Sequence, residues 1–336
     1  MAILKKIYPL ALPLLLTGCY EDFTPRIDTT PVLCLNSLIT AGSHIEVKVS
    51  HTWLYTDEEG RKNHSVPDAI LKIYANDTLV DSDYIPKEGD RIRIHASSLK
   101  YGEAEAEVTV PIATRLTNIH YSTNITSLHT QEEDYDHRLT ANMRFDVRIS
   151  VDIDDPDDTD NFHRLSYISF VPSKADYILN PGIGTNFVEL WSGNFNAIDP
   201  VFYEHVDTFE DVMNGSYYNL FFTDRLYRGE AKTLTFGFSE NQFHVNYWDG
   251  DPEDLECGWL ITLYSISESY YNWLVYADQS SGIIFGDFGD IGLADPIWGY
   301  SNVSTGAGVV AAQSSTTFTI DLKDFLKKTL ESAHTP

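Results

Sequence analysis

The sequence predicts a mostly β protein: an N-terminal immunoglobulin-like antiparallel β-sandwich, followed by a larger β-rich domain with one or two short helices. Three observations lead to this prediction. Short runs alternate apolar and polar residues, as strands with one buried face do. Clusters of Gly, Asn and Asp separate these runs, and a helical period is confined to one or two places. A chain of 336 residues is also long enough for about two domains.

The sandwich is predicted over residues 32–111. Its candidate strands read VLCLNSLI, HIEVKVSHTW, DAILKIYAND, DRIRIHAS and AEAEVTVP, and Pro111 closes the set. Within the fourth run Ile92 and Ile94 take the inward positions. Turn residues such as Asn76 and Asp77 separate the runs, and this spacing is typical of a sandwich of immunoglobulin size.

The second domain is predicted over residues 112–336. Its candidate strands are ANMRFDVRISVDI, HRLSYISFVPS, TLTFGFS, GWLITLYSI and TTFTIDL. The segment SESYYNWLVYADQ differs, because Ser267 is a candidate N-cap and an apolar face with helical spacing follows it, made of Tyr270, Trp273, Leu274 and Ala277. The run KDFLKKTLES predicts a short terminal helix.

The first 18 residues have the pattern of a lipoprotein signal peptide. Lys5 and Lys6 precede a short, proline-broken apolar run, and this run is too short to span a bilayer as a helix. The tetrad Leu16-Thr17-Gly18-Cys19 resembles a bacterial lipobox, in which the Cys thiol receives diacylglycerol. Cys19 is therefore the predicted lipidation site, and residues 19–31 form a lipidated tether.

We expect fatty acyl chains such as palmitate on Cys19 to attach the protein stably to a lipid bilayer. One acyl chain binds a membrane only reversibly, whereas two chains anchor a protein stably. Tyr20 stands where an Asp would favour inner-membrane retention in some bacteria. Glu21 and Asp22 resemble the acidic signals that direct some Bacteroidetes lipoproteins to the cell surface. We therefore expect an outer-membrane protein, with the surface face favoured over the periplasmic face.

The chain is strongly acidic, with a formal net charge of −27 at pH 7. Such a chain is repelled by nucleic acid phosphates, so nucleic-acid binding is excluded as its main role. The charge suits either solubility on a crowded surface or the binding of a cationic or metal-bearing ligand.

Two cysteines remain besides Cys19, namely Cys34 and Cys257. An exported protein permits a disulfide between them. Both also stand in apolar stretches, where a free Cys packs as a small hydrophobe. The sequence leaves these two alternatives open.

An acidic loop invites a calcium interpretation, because Ca²⁺ takes about six to eight oxygen ligands. The candidate ligands are Asp152, Asp154, Asp157 and Asp160. Their spacing does not match an EF-hand, since Pro156 falls on the fifth position and His163 on the twelfth. A structural Ca²⁺ and a solvated turn are the alternatives, and no other cofactor is expected.

Aromatic residues make up 13% of the chain, and two stretches place them beside Gly, Asn and Asp. Rings stacked on sugar C–H groups, with amides bonding hydroxyls, would form a glycan platform. The candidate platform consists of Trp191, Phe195, Tyr203, Trp298 and Tyr300. The same rings suit a β core or a protein interface equally well.

The sequence contains no GxSxG, HExxH or P-loop motif. The segment Gly306–Ala311 is too short for a dinucleotide fingerprint and is interpreted as a turn. We therefore expect a protein that is not an enzyme.

Several stretches in order resemble a Bacteroidetes lipoprotein family, domain of unknown function family 4249. After the lipobox these are LCLNSLITAGSHIEVKVSHT, VPDAILKIYANDTLV, EGDRIRIHASSLKYGEAEAEVTVP, DIDDPDDTDNFHRL, FTDRLYRGEAKTLTF, LYSISESYYNWLVYADQ and GYSNVSTGAGVVAAQSSTTFTIDL. The closing G-x-G segment of the family is Gly306-Ala307-Gly308 here. Genes of this family often lie next to genes of TonB-dependent outer-membrane receptors, so the resemblance implies such a receptor as partner. It implies no catalytic residue.

These observations together predict an outer-membrane lipoprotein that is a non-catalytic accessory or ligand-capturing component of a TonB-dependent uptake system. One alternative is a glycan- or peptide-binding surface lipoprotein that acts without a transporter. A hydrolase without a recognisable motif is a third class. Co-purification of a large β-barrel favours the first, retention on a polysaccharide the second, and turnover lost on replacing one Asp or Glu the third.

Overall fold

The computed structural model describes residues 30–53, 64–81, 83–133, 138–154, 159–170, 187–189, 195–204, 218–247, 258–281 and 299–322, together with 324, 325 and 328. From Val32 onward the chain forms one compact unit. Most of its described residues lie in strands, so the predicted mostly β fold is confirmed.

Fifteen strands lie within the described residues, and an α-helix, α1, spans Glu268–Ser281. Asp324, Phe325 and Lys328 are also helical. A short 3-10 helix spans Pro200–Tyr203. The strands are β1 Leu33–Thr40, β2 Lys48–His51, β3 Ile70–Ala75, β4 Thr78–Val80, β5 Arg91–Ser98, β6 Gly102–Thr109, β7 Leu116–Glu133, β8 Arg138–Ile153, β9 Phe162–Phe170, β10 Phe187–Glu189, β11 Phe195–Ala197, β12 Phe221–Thr223, β13 Lys232–Tyr247, β14 Gly258–Ile266 and β15 Val310–Asp321.

These strands form three sheets. The largest has the order β10-β9-β14-β15-β1-β2, and β12 also pairs with β9. The second has the order β11-β13-β8-β7, and the third β4-β3-β5-β6. Among the described pairs all are antiparallel except β1 with β15, where Ser37 lies opposite Val310 in a parallel register. Parallel neighbours require a long connection, and here nearly the whole chain separates the two strands.

The larger hydrophobic core lies between the β11-β13-β8-β7 sheet and strands β9, β14 and β15. Alternate residues of β8 point into it, from Phe145 to Ile153. Trp259 of β14 is buried there at 2% exposure, and its ring contacts that of Phe145 at 5.3 Å. Two sheets that face each other across interdigitated side chains make this a sandwich.

A second core lies between the β4-β3-β5-β6 sheet and strands β1 and β15. Ile92 and Ile94 are fully buried in it, as their alternation predicts. The core also takes in Val310 and Ala312 from β15, close to the end of the chain. The N-terminal layers are therefore completed by a C-terminal strand, and the predicted domain boundary at residue 111 stays a prediction.

Helix α1 begins where the sequence predicts. Ser267 accepts the N–H of Tyr270 through its hydroxyl at 3.3 Å, and its carbonyl accepts the N–H of Tyr271 at 3.0 Å. Tyr270 and Tyr271 pack with Ile266 and Ala311 in a small third core. The predicted terminal helix falls mostly outside the described residues.

Candidate functional site

A groove on the outer face of the β11-β13-β8-β7 sheet is the candidate functional site. Successive side chains of a strand point to opposite faces. Because Phe145, Val147 and Ile149 of β8 point into the core, Asp146 and Arg148 between them point outward and are exposed.

The register brings further polar residues to the same outer face. Arg148 lies opposite Ser122 of β7 on one side and Gly237 of β13 on the other. Asn196 of β11 lies opposite Gly237 in turn. In the neighbouring row Asp146 lies between its partners on the two flanking strands, Asn124 and Ser239.

Gly237 leaves a gap in the row between Arg148 and Asn196. A Cβ added at this position would lie 2.3 Å from the carbonyl oxygen of Val147, so a side chain is excluded by the backbone itself. A glycine inside a strand commonly marks such a close approach.

The groove has a volume of about 320 Å³, at the lower end of the range for small-molecule pockets. Its lining combines polar side chains of the outer face with one exposed aliphatic side chain, that of Ile198; the polar ones are Ser122, Asn124, Asp146, Arg148, Asn196 and Ser239. Thr123, Val147 and Phe238, which belong to one core-facing row, complete the lining.

Three polar side chains of the groove have no partner among the described residues. The side chains of Asp146, Arg148 and Asn196 make no hydrogen bond or ion pair with any residue that the structure describes. A guanidinium presents a fork of donors, a carboxylate accepts, and an amide does both. With one positive and one negative group, the site suits a small polar solute that is neutral or zwitterionic.

The predicted aromatic platform is wrong for Phe195. This ring is 6% exposed and packs in the larger core, 5.1 Å from Phe202 and 5.1 Å from Tyr218 between ring centroids. Strand β11 turns Phe195 inward, so that its neighbour Asn196 faces the groove.

Two of the other platform residues, Tyr203 and Tyr300, lie within the described part of the chain, in different surroundings. Tyr203 is 42% exposed, and its hydroxyl donates to the carbonyl of Ala197 at 2.7 Å, next to the groove residues of β11. Tyr300 lies beside α1, where burial raises the pKa of its hydroxyl and the Asn272 side chain bonds it. Trp191 and Trp298 lie outside the described residues.

Two of the four calcium candidates are engaged in other contacts. Asp152 accepts from the hydroxyl of Thr233 at 2.6 Å and from the amide of Asn118 at 2.8 Å, and these bonds lower its pKa. Asp160 pairs with Arg228. Asp154 is exposed and Asp157 lies outside the described residues. Within the described ranges no group of three or more metal-ligating side chains converges, and a structural Ca²⁺ stays a prediction.

Two carboxylates that flank the 3-10 helix, one buried and one half-buried, are likewise committed to structural contacts. Asp199 is 6% exposed and receives Lys232 at 3.0 Å. Glu204 accepts both the N–H and the hydroxyl of Thr223, at 2.8 and 2.6 Å. These bonds tie the 3-10 helix to β12 and β13.

The cysteines are only partly described. Cys34 is a free thiol in the described part of the chain, and burial raises its pKa. Cys19 and Cys257 lie outside the described residues, so lipidation and the disulfide stay predictions. Over the residues that the structure describes, no helix is long and apolar enough to cross a membrane.

A comparison of the sequence with models of protein families shows to which family the chain belongs. The model of a domain of unknown function, DUF4249, matches residues 20–319. The chain belongs to the DUF4249 family. No match was found among curated proteins or among solved structures.

The DUF4249 match begins immediately after Cys19 and ends inside β15. It therefore covers every strand that lines the groove. The closing Gly306-Ala307-Gly308 segment runs beside β1, where the Leu35 N–H donates to the Ala307 carbonyl at 2.9 Å.

The groove residues were not identified from the sequence, although two signals indicated them. The alternation in ANMRFDVRISVDI already turns Asp146 and Arg148 away from the core. Gly237 interrupts the apolar strand TLTFGFS, which predicts a close approach of backbone. That these signals meet on one face depends on the register of β8 and β13.

Proposed function

We propose that this DUF4249 protein is a lipid-anchored outer-membrane protein that captures a small polar solute and passes it to a TonB-dependent receptor. Its action is binding, without catalysis. The observation that carries the binding role is the groove, because its charged and amide side chains are turned outward and left unpartnered within the described chain. The lipobox ending at Cys19 and the family resemblance support the location and the partner.

The groove favours a solute over a macromolecule. Its volume of about 320 Å³ accommodates a small ligand. Arg148 and Asp146 stand two residues apart on one strand, so a single compact molecule can contact both. A sugar with several hydroxyls, or an amino acid or dipeptide with separated charges, offers the complementary groups.

The binding role is tested by thermal-shift screening of the mature protein against mono- and disaccharides, amino acids and dipeptides, followed by calorimetry on the best probe. Arg148→Ala removes the only cationic side chain that lines the groove in the described structure. A lost charged hydrogen bond of about 1.5–3 kcal/mol weakens binding by roughly 10- to 100-fold.

Arg144→Ala is the matched control, since Arg144 is exposed on the same strand and does not line the groove. If Arg148→Ala and Arg144→Ala bind the probe with equal affinity, the groove is not the binding site, and the probe binds elsewhere on the protein.

The transporter role is tested separately, by a gentle detergent pull-down from the native outer membrane. A TonB-dependent barrel in stoichiometric amount is the expected result. If the wild-type protein is recovered alone while Cys19→Ala is released from the membrane, anchoring stands, and the alternative of a glycan- or peptide-binding lipoprotein without a transporter replaces the proposal.

A further inference from the structure

One end of the β4-β3-β5-β6 layer exposes three large apolar side chains. Trp53 follows β2 and is 48% exposed, Ile70 begins β3 and is 61% exposed, and Leu99 in the β5–β6 turn is fully exposed. Ile70 pairs with Ser97, two residues before Leu99, so these two share one end of the sheet. We call Trp53, Ile70 and Leu99, with Lys100 beside them, the Trp53 pole.

A ladder of rings fixes Trp53 at this end. Its indole stacks on His64 with a centroid distance of 4.0 Å, and His64 meets His51 edge-on at 5.0 Å. His51 stacks in turn on Tyr101 at 4.5 Å, two residues after Leu99. One face of the indole is thus supported by protein, while nearly half of the residue is open to the surroundings.

The chain enters the β-rich unit at this same end. The Val32 N–H donates to the Thr52 hydroxyl at 3.0 Å, and the Thr52 N–H donates to the Val32 carbonyl at 2.9 Å. Trp53 is therefore the next residue after the pair that holds the entering chain. Upstream, residues 19–31 connect this point to Cys19, and thirteen residues span roughly 45 Å at most.

We infer that the Trp53 pole is a second membrane contact, which inserts at the headgroup–acyl boundary beside the lipid anchor. This inference rests on the proposed lipid anchoring at Cys19. Tryptophan concentrates at membrane interfaces because its ring is apolar and its N–H is polar. Ile70 and Leu99 add aliphatic surface, and Lys100, whose Nζ lies 4.9 Å from the Tyr101 ring centroid, borders them.

The tether favours a bilayer over a protein partner as the occupant of the Trp53 pole. Because the anchor keeps the protein next to the bilayer, insertion is intramolecular, and even a weak affinity of the pole for lipid populates the inserted state. The contact is driven by apolar burial, because the chain carries a net charge of −27, and Asp68 and Glu103 are exposed at this end. Anionic headgroups therefore weaken it, and zwitterionic ones suit it.

The test uses the full-length acylated protein in phosphatidylcholine vesicles whose acyl chains carry bromine close to the headgroup. Bromine quenches tryptophan fluorescence on contact. Trp53→Phe keeps the ring stack and should lose most of the bromine-dependent quenching. Trp273→Phe is the matched control, since Trp273 is 39% exposed on α1 and should contribute none of it.

A second pair of variants keeps every tryptophan. Replacing Ile70 and Leu99 with Ser should reduce the quenching of Trp53, because the pole no longer inserts. Leu79→Ser is its control: Leu79 is 60% exposed and lies on β4 opposite Tyr74, near the other end of β3. Equal quenching in the double variant and this control would contradict insertion.

Vesicle flotation separates the two proposals. A wild-type protein that does not float refutes the lipid anchoring and this inference with it. A wild-type protein that floats, with quenching that Trp53→Phe leaves unchanged, refutes the membrane contact alone. Stronger quenching in anionic vesicles than in zwitterionic ones would also overturn the apolar mechanism.

Discussion

Gly308→Ala tests the packing of the closing segment against β1. Gly308 has φ +109°, and an added Cβ would lie 2.1 Å from the carbonyl oxygen of Leu35. Leu35 cannot move away, because its side chain is fully buried and its N–H is bonded to Ala307. The left-handed backbone costs about 1–2 kcal/mol and the overpacking about 1–3 kcal/mol, so the variant should lose about 2–5 kcal/mol of unfolding free energy.

Urea unfolding followed by circular dichroism measures this loss. Gly42→Ala is the matched control, because Gly42 has φ +79° with no atom within 4 Å of an added Cβ. It should lose only the backbone share, about 1–2 kcal/mol. Gly306→Ala adds a clash with the Leu33 carbonyl at 2.5 Å without a left-handed backbone. If Gly308→Ala and Gly42→Ala unfold at the same urea midpoint, the close approach to β1 is refuted.

Two further predictions concern the interior. Burial lowers the pKa of His163 from 6.5 to about 4, so between these values the unfolded chain binds a proton that the folded chain does not. The free energy of unfolding should therefore fall as pH falls through this window, by about 3 kcal/mol at pH 4. In His163→Leu, which lacks this group, the urea midpoint should fall correspondingly less over the same pH range than in wild type. Ser267→Ala removes bonds to the N–H groups of Tyr270 and Ala312 and should cost about 1–2 kcal/mol; Ser280→Ala, at the other end of α1, should change the midpoint little.

Local patterns predicted most strands and the helix. Alternation located the five N-terminal strands, although β2 is confined to Lys48–His51 and the three-residue β4 was not expected. The cap at Ser267 located α1. The long strand β7 was missed, because Leu116–Glu133 is mostly polar and two register shifts break its alternation. A strand on the edge of a sheet keeps fewer apolar residues, so its period is weaker.

Pairing between distant strands could not be predicted. Nothing local in PVLCLNSLIT indicates that its neighbour is β15, some 270 residues later. Sequence patterns show which face of a strand is apolar but not which strand lies beside it. The same limit explains why Asp146 and Arg148 were recognised only as strand residues, and not as one wall of a groove.

The error at Phe195 has a simple physical cause. Rings beside Gly and Asn occur both in sugar-binding surfaces and in β cores, and composition does not distinguish them. A shift of one residue moves every side chain of a strand to the other face. Strand β11 has only three residues, too few for alternation to show that Phe195 points inward and Asn196 outward.

The position of β1 suits the N-terminal anchor that we propose at Cys19. A strand that is tethered to a membrane receives any force on the protein at its first residue. An edge strand would resist that force with one row of hydrogen bonds, but β1 has two neighbours. Its first half pairs with β2 and also bonds Ala307, and its second half pairs with β15. The parallel arrangement of the first and last described strands, which no local pattern requires, thus joins the segment that carries the proposed anchor to the interior of the largest sheet.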